Sequence, residues 1–167
     1  MSLVQFESTI SQPNPLDILE AMFHANEWPF ERSETDEMVV ETTGGWCDYR
    51  MFFAWREDLQ ALYYTCAFEM RIPEEKRAGL ADLLVYINEK MWMGHFDLCS
   101  DDGTPIYRQT IPTRGLQSVS VEMLEDMMDI ALAECERFYP AFQFLLWGGH
   151  SPEEAVAAAL LDCVGEA

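Results

Sequence analysis

The sequence predicts an α+β fold in which a twisted antiparallel sheet carries helices packed on it. Two observations predict it. Residues 46–72 hold two aromatic runs that alternate apolar and polar positions, the period of half-buried antiparallel strands. Residues 14–26, 73–94 and 120–147 repeat apolar residues at steps of three and four, the period of a helix with one buried stripe. The expected order is α-β-β-β-(β)-α-β-β-α-α, and helices on a sheet bury both kinds of apolar surface economically.

Each element has its own signal. Asn14 caps a first helix, Pro15 suits its first turn, and Ile18, Leu19, Met22 and Phe23 form its stripe until the chain reaches Asn26. Short strands are expected over 30–33 and 38–42, separated by the charged turn at Glu34–Glu37, and Gly44-Gly45 turns the chain into the strand 46–56. There Cys47, Tyr49, Met51, Phe53 and Trp55 share one face. Across the turn 57–60, Leu62, Tyr64, Cys66, Phe68, Met70 and Ile72 share a face in the next strand. Pro73-Glu74-Glu75 opens a second helix with the stripe Leu80, Leu83, Leu84, Ile87 and Met91, which Gly94 stops.

Asp101-Asp102-Gly103 marks a hairpin between two further strands. Ser120 caps the long third helix, whose stripe runs from Val121 to Leu145 and meets Pro140, so the chain either kinks or splits there. Gly148-Gly149 ends it. Ser151-Pro152-Glu153-Glu154 is a capping box that launches a short helix to about Cys163. Without a linker, repeat or low-complexity segment, residues 1–167 read as one domain, with a core over 14–147 and a helix over 151–163.

Charge narrows the function. The 167 residues carry 30 acids against 10 Lys and Arg, a formal charge of −20. Such a surface repels phosphate backbones and anionic headgroups, so neither nucleic acid nor a membrane is an expected partner. Nothing at the N-terminus reads as a signal peptide, and no apolar run approaches the ~20 residues of a membrane span. Five cysteines, with no CxxC pair, suit a reduced cytoplasmic protein.

Catalytic and metal chemistry find little support. His24, His95 and His150 lie on different expected elements, none at ligand spacing from a cysteine. The run Asp97–Gly103 resembles a calcium loop but places Cys99 at the third ligand position and Arg108 where a bidentate glutamate belongs. His95, Asp97 and Cys99 share a strand face, yet residues four apart on a strand are separated by about 13 Å, too far for a hydrogen-bonded pair. No Gly-x-Ser-x-Gly elbow or phosphate-binding glycine loop is present. The expectation is therefore a non-enzyme without a cofactor.

What remains is a binding surface. Met91, Met93, Met123, Met127 and Met128 serve either as core filler or as an adaptable apolar patch. Trp92 in the hinge Met91–His95 faces either a sheet edge or a partner, and the sheet edges themselves suit strand addition.

Ile87–Asp97 with its Met-Trp-Met-Gly-His-Phe core, followed by Asp101-Asp102-Gly103 and Tyr107-Arg108, resembles the YbjN family, described as bacterial sensory transduction regulators. Glu136–Phe142 and Trp147–Ala155 are similar to an alphaproteobacterial variant of it, and the resemblance spans roughly residues 14–165. It implies a fold similar to type III secretion chaperones, often dimeric, with an uncharacterised activity and no catalytic residues to carry over. The expected function is a non-enzymatic, chaperone-like module that binds a protein partner or client segment, as a homodimer. Its candidate patch is Trp92, Gly94, His95 and Phe96. The alternative is a small-molecule-sensing regulator with a pocket between the third helix and the sheet.

Overall fold

In the computed structural model, which describes residues 13–34 and 36–162, six strands form one antiparallel sheet. The elements are α1 (Pro15–Ala25), β1 (Phe30–Arg32), β2 (Glu37–Thr43), β3 (Asp48–Arg56), β4 (Ala61–Phe68), α2 (Arg77–Asn88), β5 (His95–Leu98), β6 (Pro105–Pro112), α3 (Val121–Trp147) and α4 (Pro152–Asp162). Their order matches the expected one, with the optional strand present. The spatial order is β1-β2-β3-β4-β6-β5, so the chain leaves β4 through α2 and returns at the far edge before pairing β6 with β4.

Register sorts the strand residues into cross-strand rows. On the inner face, Val40, Met51, Cys66, Tyr107 and Phe96 form one row, and Met38, Phe53 and Tyr64 belong to the next. These side chains are buried, as the period-2 pattern requires. Helices lie on this face. Phe23 of α1 meets Phe53 at 6.1 Å between ring centroids, and Phe142 of α3 meets Phe68 at 5.2 Å. No described element covers the outer face, whose rows are Glu41-Arg50-Ala67-Ile106-Asp97 and Val39-Phe52-Thr65-Arg108-His95.

The caps act as the residues suggest. Leu16 N donates to Asn14 Oδ1 at 2.9 Å, and Met123 N to Ser120 Oγ at 3.2 Å. Ser151 and Glu154 bond reciprocally, at 2.9 Å and 3.3 Å. Asp162 is the last described residue of α4, so Cys163 lies outside the described residues.

Several boundaries differ from expectation. Trp46 and Cys47 belong to a turn closed by Gly44 N to Cys47 O (3.0 Å), so β3 starts at Asp48. Strand β4 ends at Phe68 because Ile72 N is drawn to Gly103 O (2.8 Å), although Met70 and Ile72 remain buried. The second helix begins with a 3₁₀ turn, Glu74–Lys76, and ends at Asn88, well before Gly94. The third helix runs unbroken through Pro140. A mid-helix proline costs about 3 kcal/mol through its missing amide and ring clash. Here Phe138, Tyr139, Pro140, Ala141 and Phe142 are all buried, and that packing offsets the cost.

Candidate functional site

The hinge between α2 and β5 is built by three interlocking contacts. The Asn88 carboxamide turns back on the edge strand: Phe96 N donates to its Oδ1 at 2.7 Å, and its Nδ2 donates to Phe96 O at 3.1 Å. Asn88 thus stands in for a neighbouring strand, which explains why the helix stops there. Gly94 then adopts φ +65°, and a Cβ at this position would overlap the Tyr107 ring, so glycine is required twice over. Finally, the Tyr107 hydroxyl bridges the Met93 carbonyl (3.1 Å) and the Gln109 side chain (2.9 Å). Burial, reinforced by Cys135 nearby, pushes the Tyr107 phenol well above its ordinary pKa and keeps it a donor.

This frame separates the four candidate residues. Trp92 is 99% exposed, and Met93 beside it is 46% exposed. Gly94 shapes the turn. His95 is exposed on the outer sheet face, opposite Arg108. Phe96 belongs to no surface patch: strand alternation points it inward, 2% exposed, against Phe68, Tyr107, Phe138 and Phe142. The residues brought together at the surface are instead Trp92 and Met93. Val85 (67% exposed) and Tyr86 (37%) near the end of α2 add apolar surface outside the helix's buried stripe. Their signal was in the sequence: both fall between the core positions Leu83 and Ile87, off the stripe.

The other candidates sort plainly. Met127 and Met128 are core, Met91 and Met123 are partly buried, and Met93 alone of the five is exposed. His24 stands 3.8 Å from Glu20, and His150 stacks edge-on with Phe144, so the three histidines remain apart. Among the described residues, no three His, Cys, Asp or Glu side chains converge as a metal cage would. Asp97 pairs with Arg108 at 3.0 Å and accepts from Leu98 N at 2.8 Å, a structural assignment for the middle of the His-Asp-Cys line.

Strand addition at β5 is obstructed. The outward groups of Phe96 are taken by Asn88 and the Leu98 amide by Asp97, leaving an incoming strand few partners. Between α3 and the sheet, where the alternative reading expects a pocket, Cys135, Phe138 and Phe142 are buried, with Phe138 against Phe96 and Phe142 against Phe68. A cleft of about 670 Å³ lies on the opposite, outer face. Sequence reasoning missed it, since its lining comes from β2, β3, β4, β6 and two loops that only the tertiary fold assembles.

Comparison with known proteins places this architecture. The profile of the YbjN family, described as "Putative bacterial sensory transduction regulator", matches residues 15–144. No curated protein matches the chain. Among solved structures it is similar to one titled "Crystal structure of YbjN, a putative transcription regulator from E. coli", with a TM-score of 0.52 and 12% identity, covering 74% of this chain and 88% of that chain. At that identity the likeness concerns the fold, and there it agrees with the sheet and helices described above. The family profile spans most of the chain, hinge included, and the protein belongs to the YbjN family.

Proposed function

We propose that this protein is a non-enzymatic, cytoplasmic regulatory module that acts by binding another protein, in a chaperone-like manner and as a homodimer. One observation carries the reading: Trp92 is displayed almost wholly to solvent on a hinge that hydrogen bonds and a steric lock hold in place. An indole in water forfeits a large burial gain, and aromatic anchors of this kind dominate binding energy at interfaces. Because the hinge is already ordered, a partner gains that burial without the entropic cost of ordering a loop. The family description as a regulator is consistent with this. Free cysteines at Cys47, Cys66, Cys99 and Cys135 fit a reducing compartment. No described helix is long and apolar enough to cross a membrane.

The test replaces Trp92 with a photo-crosslinking phenylalanine in cells. A discrete adduct, with this chain or another protein, is expected, and its loss on Met93→Ser supports the patch. Trp92→Ala should leave stability within about 0.5 kcal/mol of wild type, as befits an exposed side chain, while abolishing the same association measured by sedimentation. Wild type that sediments as a monomer, together with no discrete adduct from the crosslinking variant, would overturn the reading.

A further inference from the structure

We infer that the uncovered face of the sheet holds a second docking site, which takes an extended protein segment carrying Lys or Arg beside apolar residues. The inference rests on the protein-binding reading but concerns a different surface from the Trp92 hinge.

The cleft stands where loops rise above the outer face. Its floor includes Ala67 and Ile106 from the row Glu41-Arg50-Ala67-Ile106-Asp97. One wall is the 69–71 segment and another the β5–β6 hairpin, with Cys99, Asp102 and Thr104. These walls are joined to each other. Ile72 N donates to Gly103 O at 2.8 Å, and Arg77 donates to both Ile72 O and Ser100 O at 3.2 Å. Gly103, at φ +77°, has no room for a Cβ against the Ile72 carbonyl. The cleft is therefore a shaped feature of the fold.

Its charges are unbalanced. Four carboxylates, Glu41, Asp48, Glu69 and Asp102, line it against two guanidinium groups, Arg50 and Arg71. Arg50 lies 3.9 Å from Glu41, and Arg71 lowers the pKa of Asp102, after that residue's bonds to Thr104 and Cys99. Asp48 and Glu69 are left over. Asp48 opens β3 and Glu69 follows the last residue of β4, both beside the terminal pair Tyr49↔Phe68, and no cation forms an ion pair with either among the described residues. Like charges lining one cleft repel, and a cation placed between them removes the repulsion while adding two attractions. The surrounding formal charge of −20 makes approach of a cationic segment favourable from a distance.

Beyond the charged end the face turns apolar. Val39, Phe52, Ala54 and Tyr63 are half-buried there; Phe52 and Tyr63 meet edge to face at 6.4 Å, and Arg108 lies over Tyr63 at 5.8 Å. A segment in extended form directs every second side chain at the sheet. It can place a Lys or Arg between Asp48 and Glu69 and lay its following apolar side chains over Ala67, Ile106 and Tyr63. Anionic partners meet the two unpaired carboxylates, and a second copy brings its own excess of acid, so the basic segment is the occupant that charge selects.

The probe is a fluorescent octapeptide, Lys-Ser-Val-Ser-Phe-Ser-Lys-Ser, titrated with the full chain and read by anisotropy. We expect saturable binding that weakens about fivefold in the double variant Asp48→Asn, Glu69→Gln, the loss appropriate to two partly exposed ion pairs. Neutralising distant acids on α3, Glu122→Gln with Glu125→Gln, should leave it unchanged, as should Trp92→Ala. Melting curves confirm that each variant folds. Equal weakening by both double variants reveals a diffuse acidic surface and overturns the proposal. So does equal binding of the peptide with Glu in place of Lys, competition by spermine at peptide-like affinity, or no saturable binding. Since the crosslink at position 92 reads the hinge alone, failure of either site is seen separately.

Discussion

Gly94 shows how a single residue sets the geometry of a surface. Its left-handed backbone and its contact with Tyr107 together decide where Trp92 points. Alanine there must bear about 1–2 kcal/mol of backbone strain and displace a fully buried ring besides, so Gly94→Ala should destabilise by about 3 kcal/mol in urea unfolding. A loss below 1 kcal/mol would show that the turn is not locked by this residue. Tyrosines give a second residue-scale expectation. Burial is the leading cause that raises the phenol pKa values of Tyr49, Tyr64 and Tyr107 in the folded state. A folded pKa above the unfolded value of about 10 means the native state holds its proton longer, so this contribution is intact below about pH 10 and lost above it. Absorbance at 295 nm should then show these phenols ionising in one cooperative step with loss of circular dichroism. Complete ionisation of all the tyrosines with the fold intact contradicts their burial. The candidate patch was only partly legible from residues alone. Trp92 and Gly94 are conspicuous in the sequence, but Phe96 reads as a patch member until strand parity turns it into the core.

Among the elements, β5 is the one whose neighbours decide what the sheet does. It is an edge strand of four residues, and Asn88 together with Asp97 occupies hydrogen-bonding groups that an edge would otherwise offer. Asn88→Ala removes two bonds and leaves backbone groups of Phe96 unpaired, a cost of about 2 kcal/mol by chemical denaturation. The same variant should associate more strongly with concentration, because the exposed edge can pair with another copy. A variant that loses stability yet self-associates no more than wild type at high concentration would argue that Asn88 only supports the hinge. Strands and caps were readable in advance because alternation and capping are local codes. The end of α2 was not, since Met91 continues the helical stripe and only the long-range bond from Asn88 to Phe96 stops it. Pro140 was ambiguous for the same reason: its penalty is local, whereas the packing that outweighs it comes from the sheet and from α4.

At the scale of the whole molecule, charge and layering are the governing facts. Thirty acids against ten basic residues impose self-repulsion that compact folding concentrates. Raising sodium chloride from about 0.01 M to 0.3 M shortens the screening length from roughly 30 Å to below 10 Å. The melting temperature should rise by about 3 °C for each kcal/mol of repulsion relieved, and an unchanged midpoint would mean the acids are spaced too widely to matter. The order of elements, the helices on a sheet and the family resemblance were all visible in the sequence. The outer cleft was not, because Glu41, Asp48, Glu69 and Asp102 are scattered in the chain and meet only when four strands and two loops come together.

The one-sided sheet also has a consequence for how this chain can change over generations. Along each long strand, alternate codons answer to different demands: Met51, Phe53, Tyr64 and Cys66 are held by packing against helices, while Arg50, Phe52, Tyr63 and Ala67 face no described element. Substitutions in the second set can retune what the molecule recognises without reopening its interior. Diversifying only those alternate positions should therefore yield a library in which most members still fold, a freedom that a sheet sandwiched between two layers of helices does not have.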